Sequence, residues 1–284
     1  MDEKIALVTD STCDLPKDIL DKLNINFFPL KIIYKEAEYS DRIDIDPATI
    51  YKKFKEEIPG TSMPGISEMK EKYLELKEKG FTHIIAVHLS AGLSSTYDMS
   101  MVLKEQLKDL ITIEVIDSKL LSMGLGRLVL YAREIIDKEG IGFKEIVNCI
   151  KNKVNDIELY FVVKTLKYLK EGGRIGKIRG TIGELFNIKP IISIDKDGEY
   201  YTFDKSRSRK SSLNKLYKLA KKKIIKGMCY VDVMHADAAI EARELLDRLK
   251  GLKNIKGIFL GEISPAMAVH AGPGLIGVCI TSTE

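Results

Sequence analysis

The sequence predicts an α/β protein of two α/β domains, the first a mainly parallel three-layer sandwich, the second a mixed sheet with helices. Three observations predict it. Strand-like and helix-like runs alternate through the first 157 residues; a hairpin signal, Asp197-Gly198 between apolar runs, follows; and two further strand–helix passages precede a last buried strand. The 284 residues, 45% of them hydrophobic, suffice for two cores, and the boundary is placed between 1–157 and 158–284.

The elements read in order as follows. IALVTD (5–10) is a strand, and Asp14 and Pro16 open a helix. INFFPLKIIY (25–34) reads as one strand, and a helix from Asp46-Pro47 stops at Pro59-Gly60. Ser67–Lys79 is an amphipathic helix closed by Gly80, THIIAVHL (82–89) a strand, and Ser94 to about Asp109 a helix. ITIEVIDS (111–118) is a strand, and two helices fill Ser122 to Asn155. Such alternation makes a mainly parallel sheet covered on both faces. IELYFVV, glycine-rich EGGRIGKIRG and KPIISIDKDGEYYTF then bring in an antiparallel element. GMCYVDVM, a helix over 237–250, IKGIFLGEIS and LIGVCIT complete the chain.

Composition excludes several classes. Net charge is +4, but Lys and Glu interleave through most helices, and the excess sits in KSRSRKSSLNKLYKLAKKKIIKG (205–227). There Leu213, Leu216, Leu219 and Ile224 recur at helical spacing, so the run reads as a solvated helix face with few aromatics to stack on nucleic acid. Met1–Asp10 lacks the basic start and apolar stretch of a secretory signal. No segment reaches the roughly 18 apolar residues of a membrane span, so stable membrane insertion is not expected. Cys13, Cys149, Cys229 and Cys279 are far apart and form no CxxC pair, which points to reduced, cytoplasmic thiols and no metal. His83 and His88, five apart on one strand, face opposite sides and are no ligand pair.

Three hydroxyl-rich loops stand at helix starts or strand ends: TDSTCDLP (9–16), TSMPG (61–65) and HLSAGLSSTY (88–97). Ser94, Ser95 and Thr96 at the head of one helix, and Thr61 and Ser62 ahead of another, offer sites for a carboxylate or phosphate, or simple caps. His270 precedes a glycine-proline turn, Gly272-Pro273-Gly274, and is expected at the mouth of a loop, either touching a ligand or solvating the turn. Ser94 or Ser95 with His270 and Asp117 would make a hydrolytic triad, but no GxSxG elbow accompanies them. EGGRIGKIRG lacks the GK[ST] of a triphosphate loop.

Taken in order, VTDSTCDLP, TSMP, LSAGLSSTY, LKEGGRI and HAGPGLIGV resemble the successive signatures of the DegV family, from the first strand to the last. The resemblance implies a non-enzymatic carrier that needs no cofactor and holds a long-chain fatty acid in a buried tunnel between two α/β domains. It also implies a partner, a fatty acid kinase, that converts the presented carboxylate to an acyl phosphate for phospholipid synthesis. Thr61, one of the Ser94-Ser95 pair, and His270 match the family's carboxylate-binding groups, with Ser62 beside them; Arg174 of GGRI matches an arginine associated with the kinase. Two positions depart: the family commonly has LSGTY where this chain has Leu93-Ser94-Ser95-Thr96-Tyr97, and TSQP where it has Met63. The alternative is the substrate subunit of a dihydroxyacetone-kinase-like enzyme, which holds a small polar ketone on a histidine. A long apolar tunnel would favour the carrier, a small polar pocket the kinase subunit.

Overall fold

The computed structural model describes residues 3–178, 180 and 188–283. Arg179, the ninth residue of EGGRIGKIRG, lies outside them. Three sheets organise the chain. The first is four-stranded and parallel, in the order β2 (Ile25–Phe28), β1 (Ile5–Asp10), β6 (His83–His88), β7 (Thr112–Asp117). Alternate side chains serve two cores, as a strand's period of two requires. Ala6, Val8, Ile84 and Ala86 pack on α3 (Ile66–Glu78) and α4 (Thr96–Leu107), whereas Leu7, Ile85 and Val87 face α5 (Ser122–Ile136).

The second sheet is six-stranded and mixed: β10 (Tyr200–Ser206), β9 (Lys189–Ile194), β8 (Ile157–Val162), β13 (Ile276–Ser282), β11 (Cys229–His235) and β12 (Ile255–Glu262), in that order. Its outer face buries Val162, Val231, Val233 and Val278 against α8 (Arg209–Ile224) and α9 (Ala239–Lys250). Leu216, Ala220 and Ile224 supply the buried stripe of α8, and its lysines remain on the other side. The inner face, with Leu159, Phe161, Met234 and Cys279, turns toward α5.

Helix α5 therefore lies between the two sheets, and its core runs from one to the other. Gly126 permits this approach, because a Cβ there would sit 2.5 Å from the Cys13 carbonyl oxygen. On the opposite side, Arg127 reaches Asp232 of β11 with two hydrogen bonds of 2.8 and 2.6 Å.

Three expectations are corrected. INFFPLKIIY is not one strand: it breaks at Pro29, and β3 (Lys31–Ile33) leaves the parallel sheet to pair with β4 (Glu38–Ser40) and β5 (Gly60–Ser62) in a small antiparallel sheet. The helix from Pro47, α2, ends at Lys53, short of Pro59. IKGIFLGEIS does not lead straight into the last strand, since Ser264-Pro265 starts a short helix, α10 (Pro265–Ala271), with proline in its first turn. Helices α1 (Lys17–Lys22), α6 (Phe143–Lys153) and α7 (Lys167–Glu171) complete the set used below.

Candidate functional site

In the parallel sheet the chain leaves β1 toward β2 on one side and β6 on the other, so the loops after β1 and β6 diverge and open a crevice. Both loops are hydroxyl-rich, and both line a cavity of about 270 Å³. Thr12 comes from the first; Leu93, Ser94 and Ser95 from the second; Thr61, Ser62 and Met63 from the small sheet; and Arg174, Tyr200, Met267 and His270 from the second half of the chain. Every residue singled out from the sequence as a head-group or partner contact thus lies on one cavity wall.

Local structure differs from the expected one at three of them. Thr61 and Ser62 do not sit at a free helix start; they form β5, where Thr61 pairs with Ile32. His270 is not in a loop but in the last turn of α10, and the glycine-proline turn begins only after it. The side chains nonetheless converge. Thr61 Oγ1 and His270 Nε2 are 2.7 Å apart, joining the small sheet to α10, while His270 Nδ1 is buried without a hydrogen-bond partner. The Ser94 hydroxyl lies 2.9 Å from Thr96 Oγ1, and Ser62 donates to the Met63 carbonyl at 3.2 Å. Ser95 stands at the N-cap of α4 without capping it, and is exposed.

Arg174 spans the cavity rim. Its Nε donates to the Leu93 carbonyl at 3.2 Å and its Nη1 to the Gly172 carbonyl at 2.8 Å, so it braces the serine loop against the GGRI loop. No carboxylate of the described residues forms an ion pair with it. Its charge and the burial of the ring push the His270 imidazole down to about 4, burial being the larger cause. Near pH 7 the cavity therefore presents one guanidinium cation, a neutral imidazole and several hydroxyls. That set suits an anion with acceptor oxygens.

Behind this chamber, whose wall also includes Leu30, Leu89 and Ala266, lies a narrower pocket of about 30 Å³ that shares Leu121, Tyr200, Met267 and His270 with it. It runs between α5 and the inner face of the mixed sheet, against Leu159, Phe161, Leu169, Met234, Leu275 and Gly277. A mouth with several polar side chains thus adjoins an apolar interior pocket.

Two buried carboxylates hold α10 in place, and sequence reasoning missed this role. Asp14 accepts from the Ser264 backbone N–H at 2.9 Å and from Ser122 Oγ at 2.6 Å; Asp41 accepts from the Ala266 N–H at 2.9 Å. Asp14 reads from the sequence as an ordinary helix opener, and Asp41 belongs to no motif. Burial raises Asp14 from 3.8 to about 7 and Asp41 to about 6, partly offset by the hydrogen bonds each accepts and by the neighbouring Arg42. A carboxyl raised in the folded state adds stability below its ordinary range, and loses it as pH rises through 6 to 7. His270, lowered from 6.5, works in the opposite sense: its contribution is present above 6.5 and lost as pH falls through about 4.

A further contact joins the halves at the switch point. The β9–β10 turn brings the Gly198 carbonyl to Ser90 Oγ at 2.7 Å, and a Cβ at Gly92 would sit 2.7 Å from that same oxygen. The hairpin signal at Asp197-Gly198 thus has a docking consequence that periodicity could not reveal.

A family described as uncharacterised protein, DegV family, matches residues 4–283. The chain belongs to the DegV family. A DegV domain-containing protein of Clostridium acetobutylicum is 45% identical to it over 98% of this chain and 99% of its own length. Among solved DegV structures, the fatty acid binding protein DegV of Bacillus subtilis superposes with a TM-score of 0.92 at 28% identity, covering 99% of this chain and 100% of that one. A stearic acid-binding protein from Eubacterium ventriosum gives 0.86 at 27% identity, covering 99% and 98%. Among the described residues of this DegV chain, no helix is long and apolar enough to cross a membrane, and no group of three or more His, Cys, Asp or Glu is placed to hold a metal ion.

Proposed function

We propose that this DegV protein is a non-enzymatic carrier that binds a long-chain fatty acid and presents its carboxylate to a partner fatty acid kinase, the acyl phosphate passing on to phospholipid synthesis. The carboxylate sits in the polar chamber among Thr61, Ser94 and His270, with Ser62 and Ser95 at its edge and Arg174 at the rim. The tail enters the apolar pocket behind. What supports this reading is the adjacency of the two spaces, which share Leu121, Tyr200, Met267 and His270 in their walls. The fatty-acid-binding relatives support it. A ketone-holding kinase subunit has no use for an apolar inner pocket, which argues against that alternative.

The magnitudes agree with a tail-driven affinity. Burying about sixteen carbons is worth on the order of 11 kcal/mol gross at about 0.8 kcal/mol per methylene, against about 1.5–3 kcal/mol for each hydrogen bond to the charged head. The inner pocket must widen to take the chain, and Met234 and Met267, unbranched and polarisable, are the side chains suited to yield.

The head group is tested by calorimetry across pH. A carboxylate beside His270 raises the imidazole from its depressed value, so binding takes up a proton and affinity strengthens as pH falls from 7.5 to 5.5. In His270→Ala the affinity drops by about 1–3 kcal/mol at pH 5.5 and this part of the slope disappears. An unchanged slope places the carboxylate elsewhere.

Presentation is tested separately. Arg174→Ala is expected to keep its fatty acid but form no acyl phosphate when mixed with a cognate kinase and ATP, and to melt somewhat lower because two loop-bracing hydrogen bonds are lost. Acyl phosphate at the normal rate would remove Arg174 from the transfer step.

A further inference from the structure

Gly277 departs from the other glycines of HAGPGLIGV. Gly272 and Gly274 have φ of +66° and +91°, a region that favours glycine, and a side chain on either would meet Tyr168 or Lys164. Gly277 has neither reason. It lies in β13, a central strand of the mixed sheet, and a Cβ there would make ordinary contacts of 3.4 Å to Phe161 Cβ, 3.6 Å to the Tyr160 carbonyl and 3.9 Å to Leu275. Glycine within a central strand weakens it, because it packs nothing and orders at a larger entropic cost. Folding alone would accept alanine here.

The absent side chain leaves a notch where it matters to the pocket. Gly277 pairs with Phe161 of β8 on one side and with Met234 of β11 on the other, and all three line the apolar pocket behind His270. Across this row of the sheet two large side chains flank a gap. Two residues further along the same face comes Cys279, buried between Leu159 and Asp232, and Asp232 is held by Arg127. A thiol and an ion pair thus close the sheet face beyond the gap.

From this geometry we infer that Gly277 determines which acyl chains the protein accepts: the notch between Phe161 and Met234 receives a segment of the tail, and a side chain at 277 obstructs the longer chains. The inference rests on the fatty-acid reading of the site. It assigns length discrimination to a missing side chain on the sheet rather than to the polar residues at the mouth.

The test compares delipidated wild type, Gly277→Ala and Gly277→Val in titrations with dodecanoate, hexadecanoate and octadecanoate, alongside melting curves without ligand. In the variants, affinity for octadecanoate is expected to fall by about tenfold or more relative to dodecanoate, the scale on which one methylene is discriminated in an apolar pocket. The ligand-free alanine variant melts at or above the wild-type temperature, since a strand gains a side chain without a clash. Should valine prevent folding, the alanine variant decides alone. Identical length profiles in wild type and variants overturn the inference while leaving the carrier reading intact. A wild type that binds none of the three overturns the carrier reading, and the inference with it, before any variant is compared.

Discussion

Arg127→Ala is expected to lower the free energy of unfolding by about 3–5 kcal/mol, because it leaves the Asp232 carboxylate buried without its partner. Asp232 is fully buried on β11, and the guanidinium of α5 is its hydrogen-bonding cation. The same guanidinium lies 4.3 Å from the Tyr230 ring, so truncation also removes a stacking contact. Urea denaturation should show a lower midpoint at unchanged slope. The double variant Arg127→Met with Asp232→Leu should recover most of the loss, since replacing both charges by apolar groups removes the stranded carboxylate. If the single variant is as stable as wild type, the ion pair does not tie α5 to the mixed sheet.

Gly272→Ala is the second large effect, and it couples stability to binding. Gly272 has φ 66° and ψ 171°, backbone that only glycine adopts readily, and a Cβ there would overlap the Tyr168 ring. Strain of about 1–3 kcal/mol and overpacking of about 1–3 kcal/mol combine. Relaxation that moves the end of α10 displaces His270, two residues upstream, so carboxylate affinity falls as well. Gly173→Ala is the control: its φ is 71°, but a Cβ there meets nothing within 4 Å, so it carries the strain without the displacement. Equal losses of fatty-acid affinity in the two variants would contradict this role for Gly272.

The parts of this architecture that the sequence revealed are those governed by local periodicity. Strands β1, β6 and β7 alternate between two cores, and of the stripe read on α8, Leu216 and Ile224 are buried while Leu213 and Leu219 are partly buried, so element type and order are readable there. Thr61, Ser94, Arg174 and His270 were legible as chemistry and through the family's motifs, but the local structure of Thr61 and His270 was not. A proline in mid-run redirected INFFPLKIIY into two sheets, and a seven-residue helix around His270 is too short for a periodic signal. Asp14 and Asp41 depend on contacts between residues more than a hundred apart, and the notch at Gly277 on strand pairs 43 and 116 residues apart, on which no local window of sequence bears. The apolar pocket was equally invisible, because Leu159, Phe161 and Met234 have the composition of any core.

The account turns on one claim, that the space running from Thr61 and His270 to Gly277 is built for a fatty acid. The most direct measurement is mass spectrometry of an organic extract from the purified, then denatured protein, repeated on protein stripped and re-exposed to a mixture of fatty acids. The prediction is a long-chain fatty acid near one equivalent per chain in both samples, reduced in the re-exposed sample when Thr61 and His270 are both replaced by alanine. Recovery of only solvent and buffer from the wild type, with no uptake of added fatty acid, would contradict it.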